Sequence, residues 1–532
     1  MAHIQLVGVS EQKSPDAKIW KFPYAFPIMV SHLKDTKHTF DIVDTHLHKL
    51  SSQELMNNLI SSDAQIFGIS AWSHNYLFVK ELTKRLKIHN PNSIVIVGGI
   101  LSGNHKVLME CTEVDIVVTG AEGERILPKI LDKIDLNKMQ ELHEIDGLVY
   151  RDANGYIETS PHKVMSKEEY YEERLPDYKY FDKELKEIFH NINTKKSDMP
   201  VKGFPLLTMR GCPFSCTFCG HMYGKKMLRR KWDKFFEEVE YLIDNYGLEG
   251  IFNYDTNTFL NEQDVNDFCD EYEKRGHTFK GCYELRMSFG TPEMFERLYK
   301  CGGRVMLFGF ETGSATMLRN MKKGIKIDKM KDVLKYSVEA GMIIHSNFIF
   351  GTIGENKTTI NETKEFMLFA ERLFYEQQKR FKLVNNKSIS SYGRSYLIPS
   401  PTSELYDVCL KYNLISDEEK YLEYLSDDSA KELLKGSNFK IALAEMGGNV
   451  NMSQFTSMDA LKFYVDTVWN VVKLKTLFFD KKKILHNFVK IISKSFLILK
   501  YYLKYLMQVT IDKLKNRKGF FINPRKWKQD VS

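Results

Sequence analysis

The sequence lacks the marks of a membrane or secreted protein. It contains no run of about 18 apolar residues, so we expect no membrane-spanning helix. The opening residues, MAHIQLVGVS, show no basic segment followed by an apolar one, so we expect no signal peptide and a cytoplasmic location. Eight cysteines among 532 residues are too few for a disulfide scaffold. With 43% hydrophobic and 27% charged residues, the composition is typical of globular domains.

Net positive charge is confined to the end of the chain. The net charge is +7, yet the segment from Lys473 to Lys528, the basic tail, holds sixteen Lys or Arg and two Asp. The remainder is therefore acidic by about seven charges. Aromatic and aliphatic residues separate the lysines of the tail, as in FVKIISKSFLILKYYLKYLMQV. Such a helix could lie on an anionic membrane or pack on the protein, and we favour packing; we expect no specific nucleic-acid binding.

Short β-rich runs alternate with helical stretches along most of the chain, which predicts parallel sheets and an α/β fold class. We expect a flavodoxin- or Rossmann-like domain over 1–140 and a connector with a hairpin at Asn154-Gly155 over 141–200. A partial (β/α)6 TIM-like barrel should follow over 201–410. Residues 411–532 should form a mostly α-helical region.

Three strands of the first region end in small residues: Ser70, Gly98-Gly99 and Gly120. In open parallel sheets, ligands bind outside the carboxyl ends of the strands. A small residue there lets a ligand approach the backbone. The alternative is that these residues only form turns between strand and helix.

Three cysteines lie close together in GCPFSCTFCGH, residues 211–221, spaced C-x3-C-x2-C. Zinc prefers four ligands, and only His221 is near enough in sequence to be the fourth. The other five cysteines are scattered, and we expect them to be small buried apolar residues. Iron–sulfur clusters bind closely spaced thiolates, usually four. A cluster held by only three would leave one iron open to another molecule.

The motif C-x3-C-x-φ-C, with an aromatic residue before its third cysteine, resembles the signature of the radical SAM superfamily. The resemblance implies a [4Fe–4S] cluster on Cys212, Cys216 and Cys219, with S-adenosylmethionine (SAM) on the open iron and His221 only a neighbour. One electron, from a partner such as flavodoxin or ferredoxin, would cleave SAM to a 5′-deoxyadenosyl radical. The implied SAM contacts are Phe218, Asp255, Thr256, Arg286, Glu311 and Gly351. The segment NYDTNTF departs from the family's Gly-Gly-Glu pattern, and a buried ion pair is the alternative for Arg286 and for Glu311.

An α/β domain before such a core resembles the cobalamin-dependent branch of the superfamily. The segments GISAWSHN, SIVIVGGILSG and EVDIVVTGAEGER resemble the strand ends of that branch. They imply that cobalamin lies near Ser70, Gly98, Gly99, Gly120 and Glu122. The loop after the first strand, SEQKSPDAKIWKFP, contains no histidine, so we expect no histidine ligand on the cobalt.

The resemblance implies methylation of an unactivated carbon, by methylcobalamin, on a small metabolite, natural product or peptide. No residue is assigned a catalytic role. Two alternatives remain: a non-methylating cyclase or oxidoreductase of the same architecture, including one for a lipid-like substrate, and a zinc- or cluster-bearing binding protein. A methylthiotransferase is disfavoured, because such enzymes carry further cysteines in the N-terminal domain, where this chain has only Cys111.

Overall fold

The computed structural model describes residues 1–9, 22–192, 203–220, 222–253, 255–381 and 390–426, and five single positions beyond them: 452, 453, 466, 467 and 470. His221 and the basic tail lie outside the described residues, as does most of the loop after the first strand. The described residues form two large sheets flanked by helices and one two-stranded ribbon, which confirms the predicted α/β class. No helix in these ranges is long and apolar enough to cross a bilayer.

The elements are numbered in chain order. The strands are β1 His3–Gly8, β2 Thr39–Asp44, β3 Ile66–Ser70, β4 Ile94–Gly98, β5 Ile116–Val118, β6 Leu148–Asp152, β7 Gly155–Glu158, β8 Phe204–Leu206, β9 Met209–Gly211, β10 Met227–Arg229, β11 Gly250–Asn253, β12 Lys280–Leu285, β13 Gly303–Glu311, β14 Ile343–Phe350 and β15 Ser391–Tyr396. The helices are α1 Ala25–Leu33, α2 Ser52–Ile60, α3 Tyr76–His89, α4 His105–Cys111, α5 Gly123–Asp135, α6 Lys167–Tyr171, α7 Asp182–Ile192, α8 Trp232–Tyr246, α9 Glu262–Lys274, α10 Pro292–Lys300, α11 Ala315–Asn320, α12 Ile327–Glu339, α13 Lys357–Arg380, α14 Glu404–Lys411 and α15 Glu418–Ser426.

The first sheet has the order β2-β1-β3-β4-β5-β6-β7. Strands β1 to β5 are parallel and follow the flavodoxin-like order 2-1-3-4-5, as the sequence predicted. The predicted hairpin is present as β6 and β7, and it pairs antiparallel onto β5. This hairpin therefore extends the first sheet, although it belongs to the predicted connector.

Side chains of the first sheet alternate between two hydrophobic cores, which is the period of two that strands impose. Ile4 and Leu6 of β1 belong to one core, and Val7 belongs to the other. The core that contains Ile4 also contains Phe204 of β8, a strand of the second sheet, and Phe235 of α8, a helix that precedes the next strand of that sheet. The two sheets are thus joined by continuous apolar packing.

The second sheet is entirely parallel, in the order β15-β14-β13-β12-β11-β8. Apart from the ribbon of β9 and β10, which intervenes between β8 and β11, neighbours in the sheet are neighbours along the chain, as in a barrel wound in one direction. Strands β8 and β15 form its two edges within the described residues, so the sheet is open. Its closure into a partial barrel stays a prediction. Helix α15 lies in the region predicted to be helical, 411–532, whereas α14 begins at Glu404, before that boundary. The rest of that prediction lies almost entirely outside the described residues.

Candidate active site between the two sheets

The three clustered cysteines lie on the loop that joins β9 to β10. These strands pair antiparallel, with Gly211 opposite Met227, so the loop leaves and returns at a fixed point. The Thr217 N–H donates to the Met321 carbonyl at 3.1 Å, and the Leu405 N–H donates to the Thr217 carbonyl at 3.0 Å. The loop is therefore fastened on both sides, and its cysteines are unpaired and partly exposed. Of the other five, four are buried as predicted, whereas Cys111 is partly exposed.

Two donors face the sulfurs. Asn257 Nδ2 lies 3.7 Å from Cys212 Sγ, and Arg286 Nη1 lies 3.7 Å from Cys216 Sγ. Each donor is close enough for a weak hydrogen bond to its sulfur. Burial and the neighbouring sulfurs of Cys216 and Cys212 raise the pKa of Cys219 to about 11. Three thiolates this close repel one another, and the positive charge of bound iron would offset that repulsion.

The cysteine sulfurs do not converge on the position of one metal ion within the described ranges. Among the described residues, no three His, Cys, Asp or Glu side chains gather closely enough to hold one metal ion. A zinc site requires such convergence, because all its ligands bind one atom. In a [4Fe–4S] cluster each thiolate binds a different iron, so the sulfurs stand further apart.

Asp255 and Thr256 support the cluster loop. The Asp255 carboxylate accepts hydrogen bonds from the Thr208 N–H at 2.7 Å, the Met209 N–H at 3.0 Å and the Thr208 hydroxyl at 2.6 Å. Burial raises its pKa to about 6. The Thr256 hydroxyl donates to the Gly211 carbonyl at 2.9 Å. Both residues thus hold the chain just before Cys212, and their contact with SAM stays a prediction.

Arg286 and Glu311 lie in different environments. The Arg286 guanidinium lies 3.8 Å from the centroid of the Phe214 ring and forms no ion pair with a described carboxylate. Glu311 forms the buried ion pair that the sequence allowed, with Lys323 Nζ at 2.7 Å. Lys323 Nζ also lies 5.8 Å from the centroid of the Phe218 ring. The structure thus gathers Arg286, Phe218 and Glu311 around the cysteines, partly through Lys323.

Gly351 forms a turn at the carboxyl end of β14. Its φ of +84° lies in the left-handed region that favours glycine. Its N–H donates to Glu355 Oε2 at 2.7 Å. The turn leads to Ile353, which packs in the same apolar cluster as Phe218. Gly351 therefore lies near the cysteine loop, and its contact with SAM stays a prediction.

A cavity of about 520 Å³ lies between the two sheets. One wall consists of strand ends of the first sheet and includes all five positions predicted for cobalamin: Ser70, Gly98, Gly99, Gly120 and Glu122. The opposite wall comes from the second half and includes Cys212, Cys219 and Thr256. The volume is in the usual range of cofactor and ligand sites. The structure thus brings the predicted cobalamin positions and the cysteine loop to one space.

The small residues keep this cavity open. A Cβ added to Gly98 would have one neighbour within 4 Å, the Val118 Cβ at 3.9 Å, so the position faces free space. Gly99 has a φ of +81°, and an added Cβ would lie 2.6 Å from the Ala71 carbonyl oxygen. Glu122 also lines the cavity, but its carboxylate lies 2.8 Å from His162 Nε2 and accepts the Met165 N–H at 3.2 Å. Gly98 therefore leaves space for a large ligand, Gly99 is required by the backbone next to Ala71, and Glu122 already has protein partners.

Four residues beside the cysteines went unnoticed in the sequence: Asn257, Lys323, Met222 and Tyr223. Asn257 and Lys323 reach the loop from other βα connections, and no sequence pattern marks that approach. Met222 and Tyr223 follow the motif directly and line the cavity. Their position only three and four residues after Cys219 was the available signal.

Comparison with known proteins assigns the two cavity walls to two different family models. The family model of the radical SAM superfamily matches residues 206–367, and that of the B12 binding domain matches residues 23–131. An uncharacterized methyltransferase of Pyrococcus horikoshii, PH0819, is 25% identical over 348 residues, 65% of this chain and 72% of that protein. The anaerobic magnesium-protoporphyrin IX monomethyl ester cyclase of Cereibacter sphaeroides is 23% identical over 62% of this chain and 54% of the cyclase.

A solved structure shares the fold. The radical S-adenosylmethionine methyltransferase TsrM of Kitasatospora setae, with cobalamin and a [4Fe–4S] cluster bound, superposes with a TM-score of 0.57 at 16% identity. The match covers 77% of this chain and 76% of TsrM. The two matched family models meet at the cavity described above. The chain therefore carries a radical SAM domain over residues 206–367, preceded by a B12 binding domain over residues 23–131, which is the domain order implied by the resemblance to the cobalamin-dependent branch.

Proposed function

We propose that this chain is a cobalamin-dependent radical SAM methyltransferase that methylates an unactivated carbon of a small molecule, natural product or peptide. The observation that carries the proposal is the shared cavity. One wall consists of strand ends of the B12-matched domain, which is the domain that matches the B12 binding model over residues 23–131, and the other wall includes Cys212 and Cys219. When bound, the cluster and SAM supply a carbon-centred radical and cobalamin supplies a methyl group. A small-molecule substrate and an external reductant follow from this chemistry.

The chain's own residues bind, orient and exclude water. Cys212, Cys216 and Cys219 would hold the cluster, and Arg286 adds positive charge beside one sulfur at 3.7 Å. The Glu311–Lys323 ion pair places a fixed charge pair close to Phe218, the aromatic residue of the motif. Gly98 leaves space for cobalamin at the opposite wall. Packing shared by both sheets keeps the two walls together, which preorganises the site.

Product analysis tests the proposal. Protein reconstituted anaerobically with iron and sulfide would be incubated with SAM, a strong reductant and hydroxocobalamin. We expect about four irons per chain, S-adenosylhomocysteine that forms only when cobalamin is added, and 5′-deoxyadenosine. Cys216→Ala should lose the cluster and 5′-deoxyadenosine formation. Absence of both SAM-derived products from fully reconstituted protein would contradict the proposal.

A matched cysteine variant separates cluster loss from general damage. Cys111 is also unpaired and partly exposed, but it lies at the end of α4, away from the cysteine loop. Cys111→Ala should therefore keep the iron content and both products. If it lost iron to the same extent as Cys216→Ala, the three-cysteine assignment would be wrong.

The non-methylating alternative is kept because a cyclase is among the relatives. The same incubation distinguishes it. A cyclase-like enzyme should form 5′-deoxyadenosine without cobalamin-dependent S-adenosylhomocysteine. Peripheral membrane contact through the basic tail stays a prediction, since that segment lies outside the described residues.

A further inference from the structure

The charged side chains on the wall of the cavity are already paired within the protein. Glu124 forms a buried ion pair with Arg210, and Glu122 lies 2.8 Å from His162 Nε2. The hydroxyl of Tyr24, another wall residue, donates to Glu238 Oε1 at 2.9 Å. A ligand in this space therefore meets apolar side chains, backbone and few polar groups that remain available.

Tyr223 is such a group. It lines the cavity on the wall formed by the radical SAM core, four residues after Cys219. No hydrogen bond within the described residues engages its hydroxyl. Burial raises the pKa of this phenol, so it stays protonated at neutral pH and can donate. Tyr223 is partly exposed, and its side chain faces the cavity. A ligand that covered this hydroxyl without accepting its hydrogen bond would leave it unsatisfied at a cost in free energy, so a ligand with an acceptor here is favoured.

The backbone around Tyr223 is held in place. A Cβ added to Gly211 would lie 3.0 Å from the Tyr223 Cβ, so the two chain segments pack in direct contact. The Lys226 N–H donates to the Tyr223 carbonyl at 3.3 Å, which closes a turn before β10. The side chain thus starts from a fixed point beside the cysteine loop, opposite the strand ends of the B12-matched domain.

We propose that Tyr223 donates a hydrogen bond to an acceptor of bound cobalamin, from the wall opposite the cobalamin-binding domain. The corrin ring carries amide side chains, whose carbonyl oxygens are suitable acceptors. The inference rests on the proposed function, because it requires cobalamin in this cavity. It assigns the radical SAM core its own polar contact with the cofactor, beyond the strand-end residues of the first sheet.

Equilibrium dialysis with hydroxocobalamin tests the inference. Tyr223→Phe should raise the Kd for hydroxocobalamin about two- to tenfold, the range for one neutral hydrogen bond. Iron content and Tm should stay at wild-type values. These readouts require neither the substrate nor turnover.

Tyr156→Phe is the control, because Tyr156 is an exposed residue of β7 and does not line the cavity. It should leave the Kd for hydroxocobalamin and the Tm near wild type. If wild-type protein binds hydroxocobalamin and Tyr223→Phe has the same Kd, the inference is overturned and the proposed function stands. If wild-type protein does not bind it, both fail.

Discussion

Glu355 is a single buried residue whose charge should affect stability. Its carboxyl accepts one hydrogen bond, from the Gly351 N–H at 2.7 Å, and burial raises its pKa to about 8. In the unfolded chain the pKa returns to its ordinary value of 4.5. Between these values the folded chain holds a proton that the unfolded chain has released. The stability of the wild type should therefore fall as the pH rises through this window.

Glu355→Gln should flatten that decline. Glutamine keeps an oxygen for the Gly351 N–H but does not ionise, so the destabilisation above pH 8, on the order of 4 kcal/mol, should disappear. Tm values at pH 5, 6.5 and 8 would measure the slope. Glu284, whose pKa burial also raises to about 8, should leave part of the slope in the variant. An unchanged slope would show that Glu355 is not buried as a neutral acid.

At the scale of single residues, the sequence could predict that the three cysteines form a site but not which side chains surround them. Their spacing is a local property of the chain, so it is visible in eight residues. Asn257 and Lys323 approach the loop only because neighbouring βα connections meet at the same edge of the sheet. Asp255 was predicted to lie at this edge. Its carboxylate accepts three hydrogen bonds from Thr208 and Met209, and these depend on a turn that sequence patterns do not specify.

At the scale of elements, the ribbon of β9 and β10 determines how the cysteine loop leaves the sheet. Gly211, the residue before Cys212, has a φ of +76°. A Cβ added there would lie 2.0 Å from the Lys226 carbonyl oxygen, a backbone atom that cannot turn aside. The ribbon therefore requires glycine at this position for both conformation and space.

Gly211→Ala should break the ribbon and release the loop. The left-handed conformation alone costs about 1–3 kcal/mol, and the contact with Lys226 adds to it. We expect a lower Tm and iron binding well below that of the wild type after reconstitution. Gly123→Ala is the control, since an added Cβ there has no neighbour within 4 Å. Equal iron content in both variants would argue against a special requirement at Gly211.

Strands with a clear apolar pattern could be predicted from the sequence, whereas a strand without one, such as β15, could not. The run SIVIVGGI predicted a strand over 93–100, and β4 spans Ile94–Gly98. The sequence of β15, SYGRSY, has no apolar alternation and gave no strand signal. It is a strand because the edge of β14 offers hydrogen bonds along six residue pairs, from His345 opposite Ser391 onwards. Tertiary pairing here overrides local preference.

At the scale of the whole molecule, buried polar contacts join the cobalamin-binding domain to the radical SAM core. Glu124 of α5 pairs with Arg210 of β9, and both side chains are almost completely buried. Tyr24, at the start of α1, donates to Glu238 of α8 at 2.9 Å. Glu238 also accepts from Tyr178 and Arg230. These contacts fix the separation of the two cavity walls, which no single stretch of sequence could reveal.

A double-mutant cycle on Arg210 and Glu124 should measure how strongly the domains are coupled. Arg210→Met or Glu124→Leu alone leaves an uncompensated buried charge, and each should lower the free energy of unfolding by about 3–5 kcal/mol. The double variant should lose less than either single one, because an apolar pair carries no unpaired charge. Lys49→Ala removes the half-exposed ion pair with Glu187 and should cost at most about 1 kcal/mol. Urea denaturation of the four variants gives these energies, and strictly additive losses would mean that Arg210 and Glu124 act independently.

Arg210 and Glu124 also line the cavity. The double variant should therefore bind hydroxocobalamin more tightly than either single variant, because the two cavity walls regain their spacing.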